Sequence, residues 1–414
     1  MTRILVIGGG IVGTTISHEL ADQGHDVAVV DLPDNDRRPS NGNAGWIGHQ
    51  DIMPLNSARV WRNLPGWLID PDGPLTVRPA HALRLVPWLV RFAQASRPSR
   101  VAANSAVMSA LNRAGLPSWE RRLQGLRLSE HLRRAGALSV HRKLDTYEAA
   151  AKIIARQREF GIEVERVAAG GLREIEPALT EGLAGGAYYP KACQVSDPKW
   201  LLHALTERAA ERGIERIAGR VLAVTPMAAG GRVILEGGRE LEGQKVILSA
   251  GIWSKPLAAS LGDSVPLEAE RGYNWTFAPG SFGATHPLVL ENDGLTTTPL
   301  ATGDRIGGMV EFGGIDAGPR PRRFEAILRQ LHRYLPRART EDGRSWMGLR
   351  PSTPDSLAVL GPSRRSPDIL YAFGHGHYGL TQASITAEII AALIAQRPTP
   401  VDVSMLTPRR FGGG

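Results

Sequence analysis

A chain of 414 residues exceeds the roughly 250–300 residues at which a single hydrophobic core stops growing, so two domains are expected. Its 42% hydrophobic and 22% charged residues match ordinary globular usage and exclude disordered or fibrous classes. The formal charge of +8 comes from arginines scattered between Arg3 and Arg410 rather than from one basic block, which argues against a nucleic-acid partner and leaves open an anionic cofactor, an acidic substrate or an anionic membrane surface.

Residues 3–7 form a short continuous apolar run before three glycines, the pattern of a buried parallel strand. Three glycines in a row and the lack of a cleavage site set ILVIGGGIVG apart from a signal segment. Helical spacing follows over residues 11–23, with Ile16 and Leu20 inward, and VAVV (27–30) makes the next strand. The start of the chain is thus a βαβ unit. Residues 41–72, rich in Gly, Asn, Pro and Trp, read as a long irregular excursion.

Residues 80–160 are predicted mostly helical. Within them Trp88, Leu89 and Phe92 share a face of a segment that also carries Arg84, Arg91 and Arg97, and this basic amphipathic stretch fits either packing on its own domain or a membrane surface. A helix over 198–213 leads to strand-like runs at 220–224, 232–235 and 245–249, a return to an α/β layer. Residues 265–315 alternate like antiparallel strands, 322–335 are helical, and the chain closes with a strand at 369–373 and a helix from about Gln382 to Ala395. No apolar run reaches the roughly 18 residues of a membrane span. The single cysteine, Cys193, rules out an intrachain disulfide and a cysteine-based metal site and points to a reducing compartment. A cytoplasmic location is expected, with peripheral contact to the inner membrane face as an extension of it.

Gly8, Gly10 and Gly13 give GxGxxG between strand and helix, and Asp31 ends the next strand. Gly8 allows the tight turn, Gly10 lets the backbone approach a pyrophosphate, and Gly13 permits close helix–strand packing, with Ile11 and Val12 at the helix start facing the phosphates. Asp31 is expected to accept hydrogen bonds from a ribose, and its negative charge argues against a 2′-phosphate.

After the second strand, SxxNAG (Ser40, Asn43, Ala44, Gly45) resembles the D-amino acid oxidase superfamily, especially bacterial D-amino acid dehydrogenases and glycine oxidase-like enzymes. The resemblance continues in order through VILSAGIWS (246–254), GLRPSTPDSLAVLG (348–361) and YAFGHGHYGLT (371–381). It implies an α/β plus α+β fold: a discontinuous Rossmann-like FAD-binding domain from residues 1–45, 190–262 and 345–414, and a substrate domain of antiparallel sheet and helices from 46–189 and 263–344. It also implies non-covalent FAD held by the glycine fingerprint, the SxxNAG loop, Val221, Ala250, Gly251 and Trp253. Gly374, His377, Tyr378, Gly379, Leu380 and Thr381 would form the turn whose helix points its N-terminus at the flavin pyrimidine ring. Such an end stabilises the anionic reduced ring.

Arg350 of the GLRP segment is expected to bind the substrate α-carboxylate, with an interdomain salt bridge as the competing role. Tyr273 is a candidate to assist it, equally readable as a core tyrosine, and His49 a candidate to approach the flavin edge. Without a carboxylate or cysteine cluster, the histidines of GHGHYG do not suggest a metal. The family likeness implies oxidative deamination of a D-amino acid, or of a cyclic D-imino acid such as a hydroxyproline, by hydride transfer from Cα to flavin N5. Electrons would pass to a quinone or another carrier, since NAGWIGHQDIMPL, DGPLTVRP and WLVRFAQASRP resemble such dehydrogenases. The competing readings are a glycine- or sarcosine-type oxidase using O2 and a non-catalytic dinucleotide-binding protein.

Overall fold

The computed structural model describes residues 1–32, 37–56, 58–70 and 72–412. Its first sheet has six strands in the order Glu215–Ala218, Asp26–Asp31, Arg3–Ile7, Lys245–Leu248, Ile369–Phe373 and Val359–Pro362. All neighbours are parallel except the last pair. Ile4, Val6, Val29 and Ile247 are buried on one side of this sheet and Leu5, Ile7, Val30 and Leu248 on the other, which is why its strands read as continuous rather than alternating apolar runs. Helices Ile11–Asp22 and Gly379–Ile394 pack on it through Ile16, Leu20, Ile385 and Ile389.

A second, nine-stranded sheet is mainly antiparallel. From the edge strand Arg344–Ser352 it runs through Glu268–Thr276, Gly303–Phe312, Leu295–Leu300, Leu288–Leu290, Ala137–His141 and Gly185–Tyr189, in that spatial order. The Arg350 strand lies beyond the expected boundary at 345, yet it pairs residue for residue with Glu268–Thr276 of this sheet.

Three stretches depart from the sequence expectation. The excursion 41–72 contains a short strand, Trp46–Ile47, and a helix, Ala58–Ile69. Strands Leu132–Arg134 and Ala137–His141 interrupt the helical 80–160. Strands Val221–Pro226 and Gly231–Leu235 join Glu240–Gly243 in a separate antiparallel sheet instead of the α/β layer.

Candidate active site

The two sheets enclose a cavity of about 1110 Å³, at the upper end for small-molecule sites. At one end the strand Arg3–Ile7 turns into its helix at Gly8, whose φ is +103° and whose Cβ, if present, would lie 2.7 Å from Ser249 O. A Cβ on Gly13 would lie 1.9 Å from Gly8 O, so the helix start is pressed against the strand end. No side chain caps this helix at Gly10. Ser40 Oγ accepts from Ile11 N at 3.0 Å, and Gly10, Ile11 and Val12 line the cavity. Backbone N–H groups of a first helical turn have no intrahelical acceptor and favour an anion.

Asp31 also lines the cavity. Its Oδ2 is 2.7 Å from Arg38 Nη2 and 3.6 Å from Arg216. Arg38 carried no sequence signal, yet it also donates to Gly9 O and Leu32 O and so folds across the phosphate turn.

The second helix starts at Gly379, three residues before the expected Gln382, and again no side chain caps it. Gly374, His377, Tyr378, Gly379, Leu380 and Thr381 all line the cavity. Thr381 Oγ1 accepts from Gly48 N at 2.9 Å, and Leu380 O accepts from Trp119 Nε1 at 2.7 Å. These contacts fix the first turn while its end stays open. Two helix N-termini therefore face one cavity, an arrangement that suits a cofactor with a pyrophosphate and a ring that becomes anionic on reduction. Asn43, Ala44, Val221, Ala250, Gly251 and Trp253 line the space between them. Gly13 and Gly45 act outside the lining: Gly13 as packing, Gly45 as a turn with φ of +81° tied to Asn43 Oδ1.

The floor is the nine-stranded sheet. Trp346, Asn274, Gly307, Thr296, Val289 and Ser139 are paired across consecutive strands and all line the cavity. Arg350 rises from the edge of this floor and lies across Gly272, where a Cβ would come within 2.2 Å of its Nη1. That Nη1 is buried without a hydrogen-bond partner among the described residues. Burial lowers the Arg350 pKa from its usual value, and the neighbouring charge of Glu270 opposes this. Burial also opposes ionisation of Glu270, but the charge and hydrogen bond of His377, 2.6 Å away, and the charge of Arg350 outweigh it and hold the carboxyl below its usual value.

Tyr273 forms part of the wall, but its hydroxyl donates to Glu311 Oε2 at 2.8 Å and accepts from Arg320 N. It is a core tyrosine whose polar end is committed away from the cavity. His49 does not line the cavity: its Nδ1 turns back to Ile47 O, and burial lowers its pKa. Its neighbours Gln50 and Asp51 line the cavity instead. The Asp51 carboxyl opens into the cavity but is surrounded by protein, and desolvation, reinforced by the charge of Glu291, pushes it up to about 7. Cys193 lies outside the lining, buried, with its thiol donating to Lys191 O. Among the described residues no group of three or more His, Cys, Asp or Glu could hold a metal ion.

A family model described as DAO, FAD dependent oxidoreductase, matches residues 3–393. A D-amino-acid oxidase of Bradyrhizobium diazoefficiens is 29% identical, with 99% of each chain covered. A D-amino acid dehydrogenase of Dechloromonas aromatica is 31% identical, with 96% of this chain and 98% of the relative covered. Among solved structures, glycine oxidase from Geobacillus kaustophilus aligns with a TM-score of 0.74 at 23% identity over 99% of each chain.

Proposed function

The chain belongs to the DAO family of FAD-dependent oxidoreductases, and from that premise we propose that it oxidises the Cα–N bond of a D-amino acid, including cyclic D-imino acids such as a hydroxyproline, to the imine. The observation that carries the reading is Arg350, which lines the cavity onto which both helix N-termini open and whose Nη1 is buried without a hydrogen-bond partner among the described residues. A guanidinium in that state wants a carboxylate, and a bidentate one satisfies its geometry best.

The glycine turn at 8–13 and Ser40 would hold the pyrophosphate, and residues 379–381 the pyrimidine end of the ring. FAD, when bound, supplies the acceptor for the hydride that leaves Cα. The chain's own residues position the substrate: Arg350 would take the carboxylate, and the charge of Glu270, its cross-strand neighbour hydrogen-bonded to His377, favours the charged guanidinium. The imine then leaves to hydrolyse in water. The electrons would go on to a quinone or another carrier. Consistent with such a carrier, helix Pro79–Ala95 buries Leu85, Trp88 and Phe92 but exposes Leu83, Val86 and Val90 beside the exposed Arg84. That stripe suits peripheral contact with a membrane, although no helix among the described residues is long and apolar enough to cross one.

The test is anaerobic: the flavin band of the purified holoprotein should bleach on addition of D-amino acids. A band unmoved by any amino acid would refute the reading. A second reading, an oxidase using O2, is favoured by the name of the Bradyrhizobium relative. Peroxide yield measured against dye reduction separates the two.

A further inference from the structure

We propose that Trp46, Gln50 and Asp51 form a side-chain subsite for a primary carboxamide, so that the preferred substrate is an amino acid of glutamine or asparagine type. The inference rests on Arg350 being the anchor for the α-carboxylate, as read above.

The loop that carries the three residues is pinned through its backbone. Trp46 pairs with Gln194 in a short antiparallel ladder. Gly48 N donates to Thr381 Oγ1, which ties the loop to the first turn of helix Gly379–Ile394. Gln50 O accepts from Gln157 Nε2 at 3.1 Å, and Asp51 O accepts from Asn112 Nδ2 at 2.8 Å. The side chains take no part in this. Trp46, Gln50 and Asp51 all line the cavity. Trp46 Nε1 and Gln50 Oε1 are buried without a hydrogen-bond partner, and neither the Gln50 amide nor the Asp51 carboxyl bonds to any described residue.

The three groups gather around Tyr189, which lines the same cavity. Trp46 packs against the apolar cluster that contains Ile52 and Tyr189. Tyr189 OH donates to Gln157 Oε1, and the amide of Gln157 holds Gln50. Burial raises the Tyr189 hydroxyl above its usual value, and the charge of Asp51 adds to that. The subsite and the carboxylate anchor flank one turn. Tyr378 is raised by burial and by the charge of Asp51, and the preceding His377 is bonded to Glu270, the cross-strand partner of Arg350. Buried polar groups left unbonded cost free energy that a complementary ligand recovers.

The ligand's chemistry follows from what these groups offer. Trp46 Nε1 only donates, and the Gln50 amide both donates and accepts. The Asp51 carboxyl, pushed up to about 7 by burial and by the charge of Glu291, accepts when ionised and also donates when protonated. A carboxamide answers all three: its oxygen accepts from Trp46 or Gln50, and its NH2 donates to Gln50 Oε1 or Asp51. An ammonium or guanidinium carries no acceptor and leaves the indole N–H unpaired. A carboxylate is repelled by Asp51 and by Glu291, which lines the same cavity although it has a partner of its own. An aliphatic side chain leaves every one of these groups unbonded.

The experiment reads kcat/KM on the holoenzyme for D-glutamine and D-asparagine against their apolar isosteres D-homoleucine and D-leucine, with D-lysine and D-glutamate as charged competitors. The native enzyme should prefer each amide over its isostere by about 30-fold or more, and over both charged substrates. Trp46→Phe and Gln50→Met, which keep the bulk and remove the polar group, should each bring the amide-to-isostere ratio toward one. The proposal is overturned if the native enzyme turns over the isosteres as well as the amides, or if D-lysine is the better substrate. It is also overturned if the variants depress amide and isostere by the same factor, as a merely structural role would. Any of these results, with the flavin still reduced by amino acids, sinks this inference alone. Failure of every amino acid to reduce the flavin would sink the Arg350 reading with it.

Discussion

Arg350 carries the strongest single-residue prediction. Because Nη1 has no partner among the described residues, Arg350→Ala should cost substrate binding about 2–5 kcal/mol, seen as a rise in KM. The flavin-to-protein absorbance ratio should stay at the native value, since the expected cofactor contacts come from other elements. Unchanged kinetics would remove Arg350 from the site. Some of this residue-level picture was legible in the sequence and some was not. The glycine fingerprint and the GLRP arginine stand in contiguous motifs whose spacing has a physical meaning. Arg38, Asp51 and Glu291 are isolated charges brought to one cavity, and Glu270 beside Arg350, only by sheet pairing and loop closure, and nothing local distinguishes them from surface charges. His49 misled for the same reason: it sits in the right loop, but the turn at 48–51 sends Gln50 and Asp51 to the cavity and His49 away from it.

Among the elements, the two helices that open onto the site each depend on a buried neutral histidine. His18, inside Ile11–Asp22, donates through Nε2 to Leu205 O and accepts from Arg212 at Nδ1, and burial together with nearby Arg212 and Arg122 lowers its pKa to about 4. His375 precedes Gly379–Ile394, contacts Thr386 Oγ1 at 3.1 Å, and is lowered to about 4 by burial. Both folded values lie below that of the unfolded chain, near 6.5. As pH falls from about 6.5 toward 4 the unfolded state therefore takes protons first, and the stability present above that window drains away, on the order of 3 kcal/mol per histidine. Asp51, raised to about 7, works in the opposite direction, but it is open to the cavity and weighs less. Melting temperature should fall between pH 6.5 and 5, and His18→Gln should flatten the slope; identical slopes would refute the assignment. The elements themselves were largely readable: strands 3–7 and 369–373 have the bounds their apolar runs predict. Helix Ala58–Ile69 was missed because Pro65 and Gly66 interrupt its pattern, and strands 221–226 and 231–235 were given to the wrong layer because an apolar run does not name its partner strand.

For the whole molecule, the charge of +8 and the exposed stripe Leu83, Val86 and Val90 act together. Vesicles containing anionic lipid should pull down the holoprotein at low salt, and replacing the three apolar residues with serine should abolish this. Equal recovery of native and substituted protein would dissociate the stripe from membrane contact. The parallel sheet has a consequence for biosynthesis. Its middle strands come from residues 3–7 and 245–248, and the next from 369–373. A polypeptide emerging from the ribosome thus exposes the phosphate turn long before the segment that completes the ring-binding end has been made. Pairings so distant in sequence form slowly, so flavin loading belongs to the final moments of synthesis, and chains stalled before residue 369 should accumulate as colourless, chaperone-bound species.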